Sequence, residues 1–103
     1  MMYVVIGTNT YLEEINKFPK DYKAFVDKIP IQLKVNPLVG RPLGYPFLRE
    51  KRIREKRVYY LIYNDLNLVL LVATSGKRDQ QATIDHIKQQ LDEYRKVAEN
   101  ITK

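Results

Sequence analysis

The 103-residue sequence predicts an α+β domain with the element order β-α-α-β-β-β-α, an antiparallel-rich sheet carrying two N-terminal helices and one C-terminal helix. Three observations predict it. A short β-rich run, Tyr3 to Gly7, precedes two helical patterns; three strand-like runs follow at 47–54, 57–64 and 67–75; and the chain ends on a long amphipathic stripe. At this length one core is expected, so residues 1–103 are read as a single domain.

Each element has a local reason. Gly7 and the polar Thr8-Asn9-Thr10 end the first strand. Thr10 and Glu13 have the spacing of a capping box, which opens a helix whose apolar side is Tyr11, Leu12, Ile15 and Phe18, with Pro19 as its stop. Tyr22, Phe25, Val26, Ile29 and Leu33 recur at three- and four-residue intervals and predict a second helix. Pro30 lies inside it and is expected to kink or divide it. Pro37, Gly40, Pro42, Gly44 and Pro46 mark an ordered loop.

Asn64-Asp65-Leu66-Asn67 carries the residues of a turn between the last two strands. Leu68-Val69-Leu70-Leu71-Val72-Ala73 lacks alternation, as expected of a strand covered on both faces. Asp79 is placed to cap the final helix, whose stripe is Ile84, Ile87, Leu91, Tyr94, Ala98 and Ile101.

Charge points to the partner. The net charge is +6, and seven of the 18 cationic side chains fall between Arg41 and Arg57. Six of them lie in the nine residues Arg49-Glu50-Lys51-Arg52-Ile53-Arg54-Glu55-Lys56-Arg57, which run straight into the apolar segment Val58 to Tyr63. Cations fixed on strands form a rigid surface suited to a polyphosphate, and RNA is the first partner to consider.

Other classes lack their signatures. There is no cysteine, hence no disulfide, thiolate metal site or thiol nucleophile. That fits a reducing, cytoplasmic setting, and no run is long and apolar enough to span a bilayer. Met1-Met2-Tyr3-Val4-Val5-Ile6 has no basic residues before it and reads as a strand, not a signal peptide. His86 is the only histidine and is expected to be an exposed helical residue. No phosphate-cradling glycine loop, nucleophile elbow or metal-ligand cluster is present, so no metal and no small-molecule cofactor is expected.

What remains is cationic and aromatic. Arg52 and Arg54 share strand parity and are expected to project from one face, opposite Ile53. Arg57 opens the next strand, and Lys77 with Arg78 ends the one after, so the three segments can converge on one patch. Such a patch can bind a phosphodiester and stabilise charge growing on its oxygens during cleavage, with the RNA 2′-hydroxyl as nucleophile. Binding without chemistry is equally compatible with the residue types. Tyr59, Tyr60 and Tyr63 are candidates for stacking on bases, or for ordinary strand packing.

The element order, the Asn36-Pro37…Gly40-Arg41-Pro42-Leu43 loop, the basic hairpin and Ser75-Gly76-Lys77-Arg78-Asp79 resemble the RelE/ParE superfamily of toxin–antitoxin toxins. Phe47-Leu48-Arg49-Glu50-Lys51-Arg52-Ile53 is also similar to the HigB branch. The resemblance implies a ribosome-dependent mRNA endoribonuclease that promotes 2′-hydroxyl attack on the adjacent phosphate, held inactive by a cognate antitoxin. By position it matches Arg78 to a family arginine after the last strand and Arg52 and Arg54 to the basic residues of the first hairpin strand. Together with the cationic run, catalysis is expected at Arg78, Arg54 and Tyr60, and RNA binding at Arg49, Lys51, Arg52, Lys56, Arg57 and Lys77. Tyr60 is aligned with a family arginine and Ile84 with a family tyrosine. A catalytically weakened RNA-, ribosome- or antitoxin-binding protein and a ParE-like gyrase inhibitor are the alternatives.

Overall fold

The computed structural model describes residues 2–103. The strands are β1 (Val4–Gly7), β2 (Arg41–Pro42), β3 (Leu48–Ile53), β4 (Lys56–Tyr63) and β5 (Leu68–Ser75). The helices are α1 (Asn9–Asn16), α2 (Lys23–Val35), α3 (Gln80–Gln89) and α4 (Leu91–Ile101). The strands form one sheet in the order β1-β5-β4-β3-β2, with β1 parallel to β5 and all other neighbours antiparallel. The expected α+β layout is therefore present, with one short strand added and the last helix divided.

The two faces of the sheet carry separate apolar clusters. Ile53, Val58, Tyr60, Ile62, Val69 and Leu71 pack with Tyr11, Val26, Ile29 and Leu33 from α1 and α2. Leu48, Tyr59, Leu61, Leu70 and Val72 pack with Ile84 and Ile87 of α3. Alternate residues of β3 and β4 thus face opposite helical layers, as strand geometry requires. β5 is buried along almost its whole length, which explains its unalternating sequence.

Four local expectations are corrected. Thr8, not Thr10, caps α1: its Oγ1 accepts from the Tyr11 amide at 3.2 Å. The acidic side chain with a structural task is Glu14, which accepts from the amide and hydroxyl of Thr74 and ties α1 to β5. α2 runs through Pro30 undivided; the proline lies on the exposed side, where water can serve a carbonyl left without its N–H partner. The final stripe is split at Gln90, whose φ of −109° and ψ of 15° separate α3 from α4.

The β4–β5 ladder contains a bulge that decides where one polar side chain goes. Tyr59 pairs with Ala73 and Tyr60 with Leu71, which leaves Val72 without a partner. The extra residue reverses the alternation beyond it. Leu70 and Ser75 therefore both lie toward α3, although they are an odd number of residues apart.

Candidate functional site

β3 and β4 bring one set of side chains to the α3 face of the sheet near its β2 edge. Glu50 sits opposite Tyr59 and Arg52 opposite Arg57, all on this face. β2 lies beside them, with Arg41 opposite Glu50. Ser75 is opposite Arg57 because of the bulge, and Gln80, the first residue of α3, closes the group from above. Gly40 is required at the base: a Cβ there would lie 2.6 Å from the Tyr60 hydroxyl and 2.8 Å from the Glu50 carbonyl oxygen.

Glu50 is the centre of this arrangement. It is only 7% exposed, and its Oε1 accepts from Gln80 Nε2 at 2.6 Å and from the Tyr59 hydroxyl at 3.2 Å. Arg57 Nε lies 3.6 Å from the same oxygen, and Arg41 Nη2 donates to Oε2 at 2.9 Å. A buried carboxylate is tolerated only with such partners. The Tyr59 hydroxyl also meets Ser75 Oγ at 2.8 Å, and burial pushes its pKa up to about 12, so this phenol stays protonated at neutral pH.

Arg57 is the unsatisfied member. It is 8% exposed, and its Nη1 is buried with no hydrogen-bond partner. Arg57 lines an open, mainly polar cleft of about 510 Å³ whose other walls include Arg41, Glu50, Lys51, Arg52 and Gln80. Four cations thus line the cleft, and two of them, Arg41 and Arg57, pair with its one carboxylate. A buried guanidinium nitrogen with nothing to bond is the group in this cleft that gains most from an incoming anion.

The residues singled out in the sequence divide between this cleft and elsewhere. Arg52 and Arg57 face it together, and Lys51 lines its rim. Lys77 and Arg78 are exposed on the β5–α3 loop directly before Gln80, and among the described residues neither forms an ion pair. That loop is shaped by Asp79, whose Oδ1 accepts from the Gly76 amide at 2.8 Å and does not cap the helix.

The others point away, for identifiable reasons. Arg54 is not a strand residue; it occupies the β3–β4 turn with φ 52°, which breaks its expected parity with Arg52. Its guanidinium pairs with Asp21 at 2.8 Å and stacks over Phe25 at 4.8 Å, on the α2 side. Lys56 sits over the Phe18 ring on that same side. Arg49 is spent on backbone carbonyls of Leu38, Gly40 and Pro46, so it shapes the loop and is not free for phosphate.

Tyr60 is fully buried against α2, donating to the Pro37 carbonyl at 2.6 Å and accepting from the Gly40 amide at 2.9 Å. It can neither stack on a base nor shuttle a proton in the cleft. Tyr59 is equally buried, and Tyr63 is half-buried under the Arg95 guanidinium. Ile84 lies in the α3 cluster, while His86 is exposed as expected.

Sequence reading missed Glu50, Arg41 and Gln80 as site residues. The signal for Glu50 was present: it shares strand parity with Arg52 inside a run of cations, the position of a buried counter-ion.

No family model matches the sequence, and no curated protein matches it either. Solved structures do. The chain superposes on the RelBE2 toxin–antitoxin complex of Mycobacterium tuberculosis with a TM-score of 0.65 at 25% identity, covering 75% of this chain and 93% of that one. It has the RelE fold. A free mutant of the Escherichia coli toxin RelE matches with a TM-score of 0.71 at 15% identity over 86% of this chain and 98% of that chain. The RelE–RelB complex of Pyrococcus horikoshii OT3 matches at 0.65 and 15% identity over 75% of this chain and 97% of that chain. The resemblance read from the loop, hairpin and Gly-Lys-Arg motif is thus upheld at the level of fold, and the cationic cleft is what this chain builds on the RelE sheet.

Proposed function

We propose that this RelE-fold chain is the toxin of a toxin–antitoxin pair and acts in the cytoplasm on mRNA held by the ribosome, as a metal-independent endoribonuclease. The observation that carries the reading is Arg57: a buried, unpartnered guanidinium nitrogen in a cleft lined by Arg41, Lys51 and Arg52. In this role Arg57 and Arg52 hold the scissile phosphate. Arg78, on the neighbouring loop, offsets the charge that builds on the non-bridging oxygens as the 2′-oxygen, giving its proton to solvent, attacks phosphorus and the 5′-oxygen leaves, taking a proton from solvent. Lys51 and Lys77 extend the phosphate track. The partner that silences it is a cognate antitoxin, and an acidic segment fits the cleft; toxins of this fold occur in such complexes in M. tuberculosis and P. horikoshii.

A second reading, phosphate binding without cleavage, has its own support. Tyr59 and Tyr60 are both held protonated by burial, and Ile84 is an apolar core residue, so no tyrosine at the cleft exchanges a proton near neutral pH. Incubating the purified protein with mRNA, with and without ribosomes, tests both. The toxin reading expects cleavage only with ribosomes, reduced at least 100-fold by Arg57→Lys and by Arg78→Ala. Salt-sensitive RNA binding with no cleavage and no growth arrest establishes the second reading. Cleavage undiminished in both variants overturns the assignment of roles.

A further inference from the structure

The β2–β3 connection carries an aromatic pair that lies outside the lining of the cationic cleft. Tyr45 and Phe47 stack on each other with ring centroids 4.9 Å apart and an interplanar angle of 28°. Both remain well exposed, at 40% and 37%, and the Tyr45 hydroxyl has no hydrogen bond among the described residues. Lys88 Nζ lies 5.9 Å from the Tyr45 ring centre. Gly44 makes the approach possible: it adopts φ 91°, and a Cβ there would lie 3.2 Å from the lysine nitrogen.

The position of this pair relative to the cleft follows from two independent rulers. Phe47 is three residues from Glu50 along the β3 side, about 10 Å at a rise of ~3.3 Å per residue. Lys88 is eight residues from Gln80 along α3, about 12 Å at ~1.5 Å per residue. Gln80 touches Glu50 at one end and Lys88 touches Tyr45 at the other. α3 therefore reaches from the cationic cleft at Gln80 to the stacked rings at Lys88.

We infer that Tyr45 and Phe47, flanked by Lys88, form a stacking platform for a base of the single-stranded RNA whose phosphate occupies the cleft. The inference rests on the RNA reading of that cleft. Exposed planar rings beside a cation, continuous with a phosphate track, are the two components of sequence-tolerant single-strand recognition. The platform contributes binding and register, setting which phosphate meets Arg57, and takes no part in bond making.

The test uses short single-stranded RNAs carrying 2-aminopurine at successive positions, titrated with the whole protein at low salt. The expected result is quenching confined to one or two adjacent positions. Tyr45→Ala with Phe47→Ala should abolish that quench and weaken binding about tenfold, while Tyr45→Phe retains both. Equal quenching in the double alanine variant overturns the platform, and so does quenching spread evenly along the RNA. Lys51→Ala with Arg52→Ala separates the two ideas: weaker affinity with the quench intact at saturation is expected. Unchanged affinity in that variant, with the aromatic variant still defective, overturns the cleft reading and supports the platform as a binding site of its own. Absence of RNA binding by the wild-type protein overturns both.

Discussion

Glu50 and Arg57 are diagonal neighbours across the β3–β4 ladder, with Nε and Oε1 3.6 Å apart and both side chains more than nine-tenths buried. Two further donors, Gln80 and Tyr59, converge on the same carboxylate oxygen. The pair therefore does two jobs: it makes a buried arginine tolerable, and it fixes that arginine's orientation while leaving Nη1 unsatisfied.

Breaking the pair from the acidic side should be costly. Glu50→Ala leaves Arg57 buried without a counter-charge, and we expect a loss of about 3 kcal/mol in urea unfolding. Glu50→Gln keeps an acceptor for Gln80 and Tyr59 and should lose less. An alanine variant within 0.5 kcal/mol of wild type, a surface-like effect, shows that the carboxylate is not what holds Arg57.

Much of the fold was legible because it depends on short-range pattern. Tyr3 to Gly7, the three later strands and the two helical stripes follow from apolar periodicity and turn residues. The site was legible only in part. That Arg54 would fall in a turn with positive φ, and that Ser75 would be turned toward α3 by a bulge at Val72, depends on strand register, which one sequence does not state. Tyr60 was misjudged for a related reason: its hydroxyl is consumed by Gly40 and Pro37, which lie 20 and 23 positions before it in the sequence. Arg52 and Arg57 share the cleft because the register pairs them directly across the β3–β4 ladder, which the cationic run suggests and only the fold states.

Phosphate contacts should appear in the salt dependence. If Lys51 and Arg52 each neutralise one phosphate of a single strand, the double alanine variant should flatten the slope of log K against log salt by about 1.4, at ~0.7 per contact. Arg54→Ala, whose guanidinium is engaged by Asp21 and Phe25, should leave the slope unchanged. Equal slopes for wild type and the Lys51/Arg52 variant remove these two side chains from the RNA path.

Alkaline pH offers a test of the core. Burial pushes Tyr11, Tyr59 and Tyr63 up to about 12 from an ordinary value of 10.0. Between these values the unfolded chain has released protons that the folded chain retains, so stability falls as pH rises. It should be constant below pH 10 on this account and drop between 10 and 12, followed by tyrosinate absorbance and circular dichroism together. Tyr11→Phe removes a buried hydroxyl with no partner and should shallow that drop while raising neutral-pH stability by about 1 kcal/mol. Tyrosinate absorbance rising fully before the fold is lost contradicts the assigned burial.

Tyr60 separates a structural from a catalytic tyrosine. Its hydroxyl satisfies the Pro37 carbonyl and the Gly40 amide in the loop that forms the cleft's edge. Tyr60→Phe leaves both backbone groups without that partner, and we expect about 2 kcal/mol of destabilisation by urea unfolding. RNA affinity measured well below the variant's melting temperature should stay within twofold of wild type, because the ring faces α2 and Arg57 keeps its Glu50 partner on the opposite face. A variant as stable as wild type but defective in mRNA cleavage would return Tyr60 to the reaction and require the loop around Gly40 to open during turnover.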